Sequence, residues 1–183
     1  MREIEIKIKI KDRKTFETLV KKFEEKLSKP IEQRDVIYSY GGDLSIMKSI
    51  TPGSIVIRIR REGKVARFAL KQQLSHRLDK TEYETEIKDP DALHASLLIM
   101  GYKPVVEVAK TRRKGMFGQD EICFDDVKSL GYFFEIERLS DDDADVIAVT
   151  DDLYEKIKSL GLDRGDEEKR GYDIQMYAKL YSK

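Results

Sequence analysis

The chain has a single cysteine, Cys123, and no net charge, its 35 Lys and Arg offsetting 35 Asp and Glu. One thiol cannot close an intrachain disulfide, which points to a reducing, cytoplasmic setting. Cys123 has no cysteine partner and no nearby histidine, so it reads as a buried thiol rather than a nucleophile. Without net charge there is no field to draw in nucleic acid or an acidic membrane surface. The apolar runs are only a few residues long, too short for a transmembrane helix or a signal segment. Internal repeats and low-complexity tracts are also missing. The 183 residues therefore read as one domain, residues 1–183, large enough to bury a sizeable core.

Charge itself is abundant. Asp, Glu, Lys and Arg make up 38% of the chain, against about 25% in an ordinary soluble domain. That excess fits either a thermophile's surface or a charged interior. Its placement is ordered. In the first ten residues Ile4, Ile6, Ile8 and Ile10 alternate with Glu3, Glu5, Lys7 and Lys9. Side chains alternate across a strand, so one face is apolar and the other charged. The pattern recurs with its charges sorted by sign: Arg58 and Arg60 share one face, Glu82, Glu84 and Glu86 another, and Glu135 and Glu137 a third. Salt-bridged, solvated sheet faces would account for any one of these segments. Several together point to strands lining a polar lumen.

The remaining elements follow in order. Asp12 caps a helix with an apolar stripe of Phe16, Leu19, Val20, Phe23 and Leu27, stopped by Pro30. Residues 31–40 read as a strand ending at Gly41-Gly42, and Thr51-Pro52-Gly53 as a turn. Residues 55–61 and 65–73 form a hairpin through Glu62-Gly63-Lys64, with Arg67 and Lys71 opposite Phe68 and Leu70. Residues 72–79, with His76, read as a loop, and residues 80–88 as a strand. Asp89-Pro90 then starts a helix that Gly101 closes and that carries a structural His94. Strands follow at 102–114, 121–127 and 132–139. A helix begins at Asp141 to Asp143 and ends at Gly161, and a charged linker at 163–170 leads to a last short helix. About eight strands joined mostly by hairpin-length turns require antiparallel pairing and suffice to close a barrel. The expected fold is α+β, an eight-stranded antiparallel tunnel or barrel with helices packed outside.

Glu3-x-Glu5-x-Lys7 and the motifs after it carry a family resemblance. Gln33-x-Asp35-x-x-Tyr38, Ile57-Arg58-Ile59-Arg60, Leu70-Lys71, Glu82-x-Glu84, Lys110-x-Arg112 and Phe124-Asp125-x-Val127 follow in order. Leu130-Gly131-x-Phe133-x-Glu135-Ile136-Glu137 completes the series. The chain resembles the CYTH family of triphosphate tunnel enzymes, and within it the class IV adenylyl cyclases of archaea and bacteria. The resemblance implies that Lys7, Arg58, Arg60, Lys71, Lys110 and Arg112 are phosphate ligands. It implies that Glu3, Glu5, Glu135 and Glu137 hold Mg²⁺ or Mn²⁺, with Asp125, Glu82 and Glu84 assisting. Lys71, Lys110 and Asp125 stand closest to the chemistry in this reading. Thr81, Lys80 and Tyr132 depart from the family pattern.

The residue types suit that chemistry. A triphosphate carries about four negative charges, which arginine forks and lysine ammoniums answer. Interleaved carboxylates offset the cations and offer hard oxygen ligands to a divalent metal. The leading expectation is an adenylyl cyclase that converts ATP to cyclic AMP and pyrophosphate. A triphosphatase acting on inorganic, thiamine or nucleoside triphosphates would use the same ligands. A non-catalytic nucleotide- or polyphosphate-binding module would not need every metal-type carboxylate. Expected partners are ATP or another triphosphate, with an outer sheet face available for a homodimer, and neither nucleic acid nor membrane.

Overall fold

Alternation of isoleucine and charge in the first strand sets the plan that the other strands repeat. The computed structural model describes residues 2–48, 53–73, 80–141 and 144–181. Among the described residues there are eight strands: β1 (Arg2–Ile10), β2 (Ile31–Tyr40), β3 (Ile55–Glu62), β4 (Val65–Gln73), β5 (Lys80–Ile87), β6 (Tyr102–Phe117), β7 (Asp120–Val127) and β8 (Gly131–Ser140). The helices are α1 (Arg13–Lys22), the single turn α2 (Ser45–Lys48), α3 (Pro90–Ile99), α4 (Val146–Ser159) and α5 (Tyr172–Tyr181). The antiparallel strands run in the order β1-β8-β7-β6-β2-β3-β4-β5, a linear order with β1 and β5 at its ends. The eight-stranded antiparallel α+β architecture expected from the pattern is therefore the one observed.

The chain divides into two compact units. The first comprises Met1–Ile31 and Lys110–Arg170, the second Glu32–Ala109 and Gly171–Lys183. In the first unit, Ile4, Ile6, Ile8 and Ile10 of β1 join Ile122 and Phe124 of β7 and Phe134 and Ile136 of β8 on one sheet face. Leu19 and Phe23 at α1, and Leu153 and Ile157 of α4, cover that face. Ile8, Ile122, Phe134, Ile136 and Leu153 are wholly buried, and each such side chain contributes about 1.5–3 kcal/mol. One fully buried carboxylate, Asp120, pins α4 to the sheet: it accepts from Arg138 Nε at 2.6 Å and also from Lys156 of the helix. In the second unit, Tyr38, Ile57 and Ile59 pack with Phe68 and Leu70 beneath Leu97 and Leu93 of α3. There the Tyr38 hydroxyl lies 2.7 Å from His94 Nδ1, which gives that histidine its structural role. α5 buries Gln175, Met176 and Tyr177.

Two helix boundaries differ from expectation. α1 ends at Lys22, well before Pro30, and a 3₁₀ turn follows at Glu24–Lys26. The reason is β6, which claims the chain beyond it. Ser28 N–H donates to Lys114 O at 2.7 Å, while Arg113 donates to Ser28 O and forks onto Glu24. Leu27 consequently packs on the core from outside the helix. α4 starts at Val146, not in the acidic run, because Asp145 is its cap and accepts from the N–H groups of Ile147 and Ala148. Of the expected features, Thr51 and Pro52 of the turn, residues 74–79 with His76, and Asp142 and Asp143 lie outside the described residues.

The approach of residues 26–28 to β6 leaves no room at Gly115. A Cβ there would sit 2.6 Å from Lys26 O and 2.9 Å from Leu27 Cδ2, and backbone cannot swing aside as a flexible side chain does. Gly115→Ala is expected to destabilise the protein by about 1–3 kcal/mol, the usual cost of overpacking. Urea unfolding measures this, and an unchanged midpoint would show that this packing is looser than described.

Candidate active site

Strand register decides which charges share a face. In the first unit, Glu5 pairs with Glu137 and Lys7 with Glu135. Glu137 pairs in turn with Glu121, Glu135 with Cys123, and Phe133 with Asp125. On the far side of β7, Asp125 pairs with Arg112 and Cys123 with Lys114. Directly opposed residues point to the same side of a sheet. Glu3, Glu5, Lys7, Lys110, Arg112, Asp125, Glu135 and Glu137 therefore all lie on the face opposite the isoleucine core.

The centre of this face is Asp125, fully buried. Its carboxylate accepts from Arg112 Nε at 2.6 Å and Lys110 Nζ at 3.1 Å, and Arg112 Nη2 bridges Asp125 to Glu135. Burial alone would raise the Asp125 pKa, but the bonds to Arg112 and the Lys110 charge outweigh it and hold Asp125 below its ordinary value. Arg112 is likewise locked in its charged form: burial opposes this, and the bonds and charges of Asp125 and Glu135 overcome it. Cys123 lies in the same face, where burial pushes its thiol up to about 12. It is a buried thiol, as the sequence implied.

Beside this neutralised cluster runs a row of carboxylates. Glu5, Glu137 and Glu121 stand abreast on three neighbouring strands, about 4.8 Å apart in the pairing direction. Like charges so placed repel. Burial, then the charges of Glu3, Glu5 and Glu121, push the Glu137 pKa up to about 7. Glu5 is raised by burial and by Glu135, with Lys7 working against the shift. Glu121 has a close cation within the face, Lys114 Nζ at 2.9 Å. Among the described residues, no three His, Cys, Asp or Glu side chains are already gathered into a metal-coordinating cluster. The donor set nevertheless fits a divalent cation: the oxygens are hard ligands, and the crowding that raises Glu137 is what a bound cation relieves.

In the second unit, Asp35 of β2 pairs with Arg60 of β3, and Arg60 with Arg67 of β4. Arg67 pairs with Glu86, and Lys71 with Glu82. Arg60 forks onto Asp35 with both bonds at 2.7 Å. Arg58 reaches past Ala69 to Glu84 at 3.0 Å. That span crosses a whole strand, and only a small side chain at position 69 lets the guanidinium through. Arg67 sits among Glu62, Glu84 and Glu86 at 3.5–3.8 Å. Arg58, Arg60, Lys71 and Glu84 thus belong to one sheet face by register, and the side chain of Glu82 lies outside what the structure describes. Glu121, Lys114 and the holding role of Asp35 escaped the sequence reading, which put Arg67 on the Lys71 face but gave it no part in the site. Register, which a single sequence does not state, is what brings them to these faces.

The family of CYTH domains matches residues 1–172 of this chain. The chain belongs to the CYTH family. Members of that family act on triphosphates and use divalent metal ions. The chain is 26% identical to a Methanocaldococcus jannaschii protein named "Putative adenylate cyclase", over 94% of this chain and 97% of that one. Its fold superposes on the PH1819 protein of Pyrococcus horikoshii with a TM-score of 0.75 at 25% identity, covering 97% and 99% of the two chains. A Hippeastrum protein named "Putative adenylyl cyclase" and described as having a dominant triphosphatase activity shares the fold at 15% identity. Its TM-score is 0.65, with 97% and 95% of the chains covered. Among the described residues of this CYTH protein, no helix is long and apolar enough to cross a membrane.

The acidic row makes stability depend on pH. The folded state raises the Glu137 pKa above its ordinary value of 4.5 to about 7. It therefore favours the neutral acid, a contribution fully present below the ordinary value and lost as pH rises through about 7. The melting temperature of metal-free protein is expected to fall between about pH 5 and pH 8, and Glu137→Gln should flatten the fall. Circular dichroism melts across that range test this. A variant that declines as steeply as the wild type would remove Glu137 as the cause.

Proposed function

We propose that this CYTH protein is a divalent-cation-dependent adenylyl cyclase that converts ATP to cyclic AMP and pyrophosphate. The observation that carries the reading is the crowded row Glu5, Glu137 and Glu121 beside the cations Lys7, Lys110 and Arg112 on one sheet face. The name of the M. jannaschii relative, alike over nearly the whole of both chains, favours nucleotide cyclisation over hydrolysis. A reducing cytoplasm, where ATP is abundant, suits the single buried thiol.

In this reading the ribose 3′-oxygen attacks the α-phosphorus, the bond to the bridging oxygen breaks, and pyrophosphate leaves. Arg58 and Arg60 bind phosphate oxygens, with Lys7 and Arg112 as further ligands. Guanidiniums suit the task because their planar forks match pairs of phosphate oxygens. Lys71 and Lys110 offer ammonium charge to the reacting phosphate. Asp125 works through its two partners: held ionised below its ordinary pKa, it fixes Lys110 and Arg112 and is unsuited to taking a proton. Glu84 balances Arg58, and Glu82 and Glu84 assist in holding the substrate. Glu3, Glu5, Glu135 and Glu137 would hold Mg²⁺ or Mn²⁺, which neutralises charge that builds on phosphate oxygens in such transfers.

The test is product analysis with ATP, tripolyphosphate and thiamine triphosphate, each with Mg²⁺ or Mn²⁺. Cyclic AMP and pyrophosphate from ATP, abolished reversibly by a chelator, are the expected result. Phosphate release without cyclic AMP would replace cyclisation by triphosphate hydrolysis on the same ligands. Two variants then separate binding from chemistry. Arg58→Ala is expected to weaken triphosphate binding, measured by calorimetry, by about tenfold or more, the worth of a charged hydrogen bond. Glu137→Gln keeps the side chain's size and loses its anion. It should lower kcat on the order of a hundredfold, equivalent to about 3 kcal/mol of transition-state stabilisation. Near-normal turnover in Glu137→Gln would make that strand structural.

A further inference from the structure

The charged segment at residues 163–170 does more than link two helices. It docks on the edge of β1 that β8 leaves open. Glu167 makes an antiparallel bridge to Ile8, and Glu168 N–H donates to Lys7 O at 2.9 Å. Its outer end is anchored separately: the Tyr154 hydroxyl donates to Glu167 at 2.7 Å, and the Arg164 guanidinium covers the Tyr154 ring at 4.0 Å. From there the segment turns over the charged face, and Lys7 Nζ donates to Arg170 O at 2.8 Å. Lys7 is almost fully buried.

That carbonyl is itself held by a side-chain clamp. Glu168 accepts from Arg170 Nε at 2.8 Å, from Arg170 Nη2 at 2.6 Å and from the Arg170 N–H at 3.0 Å. Three bonds between two residues two apart fix the backbone at position 170. A lysine ammonium sits on a flexible four-carbon stem and is costly to order. A fixed acceptor meets that cost before any ligand arrives.

We infer that Glu168 is a positioning residue for Lys7: by clamping Arg170 it fixes the carbonyl that aims the Lys7 ammonium along the charged face. The inference rests on the reading of Lys7 as a phosphate ligand. The segment that the sequence presents as a solvated linker is, in the fold, the outer support of that ligand. Arg170 is the second half of the same device. Substitution at either position should therefore have the same consequence, and the two together no more than one alone.

The experiment is a double-mutant cycle on the full chain with two readouts. The first is the ¹⁵N signal of the Lys7 ammonium in ligand-free protein, which becomes visible when a hydrogen bond slows its proton exchange. The second is tripolyphosphate affinity by calorimetry. Glu168→Ala and Arg170→Ala are each expected to erase the Lys7 signal and weaken tripolyphosphate binding by about tenfold. Neither should weaken it further in a Lys7→Ala background, and Glu168→Gln should restore part of the loss. A thermal melt on each variant confirms folding, and Arg170→Ala stands in should Glu168→Ala not fold. Equal losses of affinity with and without Lys7, or an undisturbed Lys7 signal in both variants, overturn the inference. Wild-type protein that shows the Lys7 signal but binds no tripolyphosphate overturns the functional reading instead, because the signal is read without ligand.

Discussion

A carboxylate with no exposure to water can stay ionised only if cations close on it, and on the charged face of the first unit Asp125 is where this chain meets that requirement. Without Arg112 and Lys110 it would have to take up a proton. Without Asp125 two cations would be left buried and uncompensated, at a cost of about 3–5 kcal/mol for a broken buried pair. The rest of the first unit's charged face is arranged around that constraint. Arg112 passes from Asp125 on to Glu135, Glu135 lies opposite Lys7, and Lys7 is met at its far side by the Arg170 carbonyl. Beyond the end of this chain of compensation lies the Glu5–Glu137–Glu121 row, where negative charge is in excess and the Glu137 pKa rises to about 7.

Compensation in advance has a consequence for ligand binding. Each guanidinium that would grip phosphate already holds a carboxylate: Arg60 with Asp35, Arg58 with Glu84, Arg112 with Asp125 and Glu135. A phosphate therefore shares or exchanges partners and does not meet bare charge. Net affinity is then the difference between two sets of charge-assisted bonds, smaller than either set. The benefit is a set of cations held in place before a ligand comes, which lowers the ordering cost of binding. Ala69 and Gly115 serve this placement from below. One clears a path for Arg58 across β4, and the other lets residues 26–28 close against β6.

Much of this was legible in the sequence because a strand's side-chain period is two. The β1 isoleucines, the two β3 arginines, the β5 glutamates and Glu135–Glu137 announce their faces by spacing alone, and with them most of the strands. β2 and the β3–β4 hairpin lie where the pattern puts them. Pairing register is another matter. Nothing within residues 120–127 says that Glu121 will stand beside Glu137, or that Asp35 will fork with Arg60; hairpin geometry and long-range pairing decide both. Helix ends were misread for a related reason. The end of α1 is set by β6, some ninety residues on, which takes the backbone at residue 28. Near α4 several aspartates offer themselves as caps, and the one adjoining the apolar stripe, Asp145, serves.

The segment at residues 163–170 shows the same limit from the other side. By composition it is what a solvated linker should be, rich in Asp, Glu, Lys and Arg and poor in apolar residues. Much of its charge has a partner close by: Glu168 on Arg170, Glu167 on Tyr154, Arg164 on the ring of Tyr154 and Asp166 on Lys11. What it gives to Lys7 is backbone, one N–H to Lys7 O and one carbonyl to Lys7 Nζ. Backbone groups carry no sequence signature, so such a contact cannot be read from composition. It arises here because β1 ends its row of strands with an edge to fill, and because a lysine facing inward from that edge needs an acceptor that does not titrate. A carbonyl meets that need across the whole pH range in which the neighbouring carboxylates change charge.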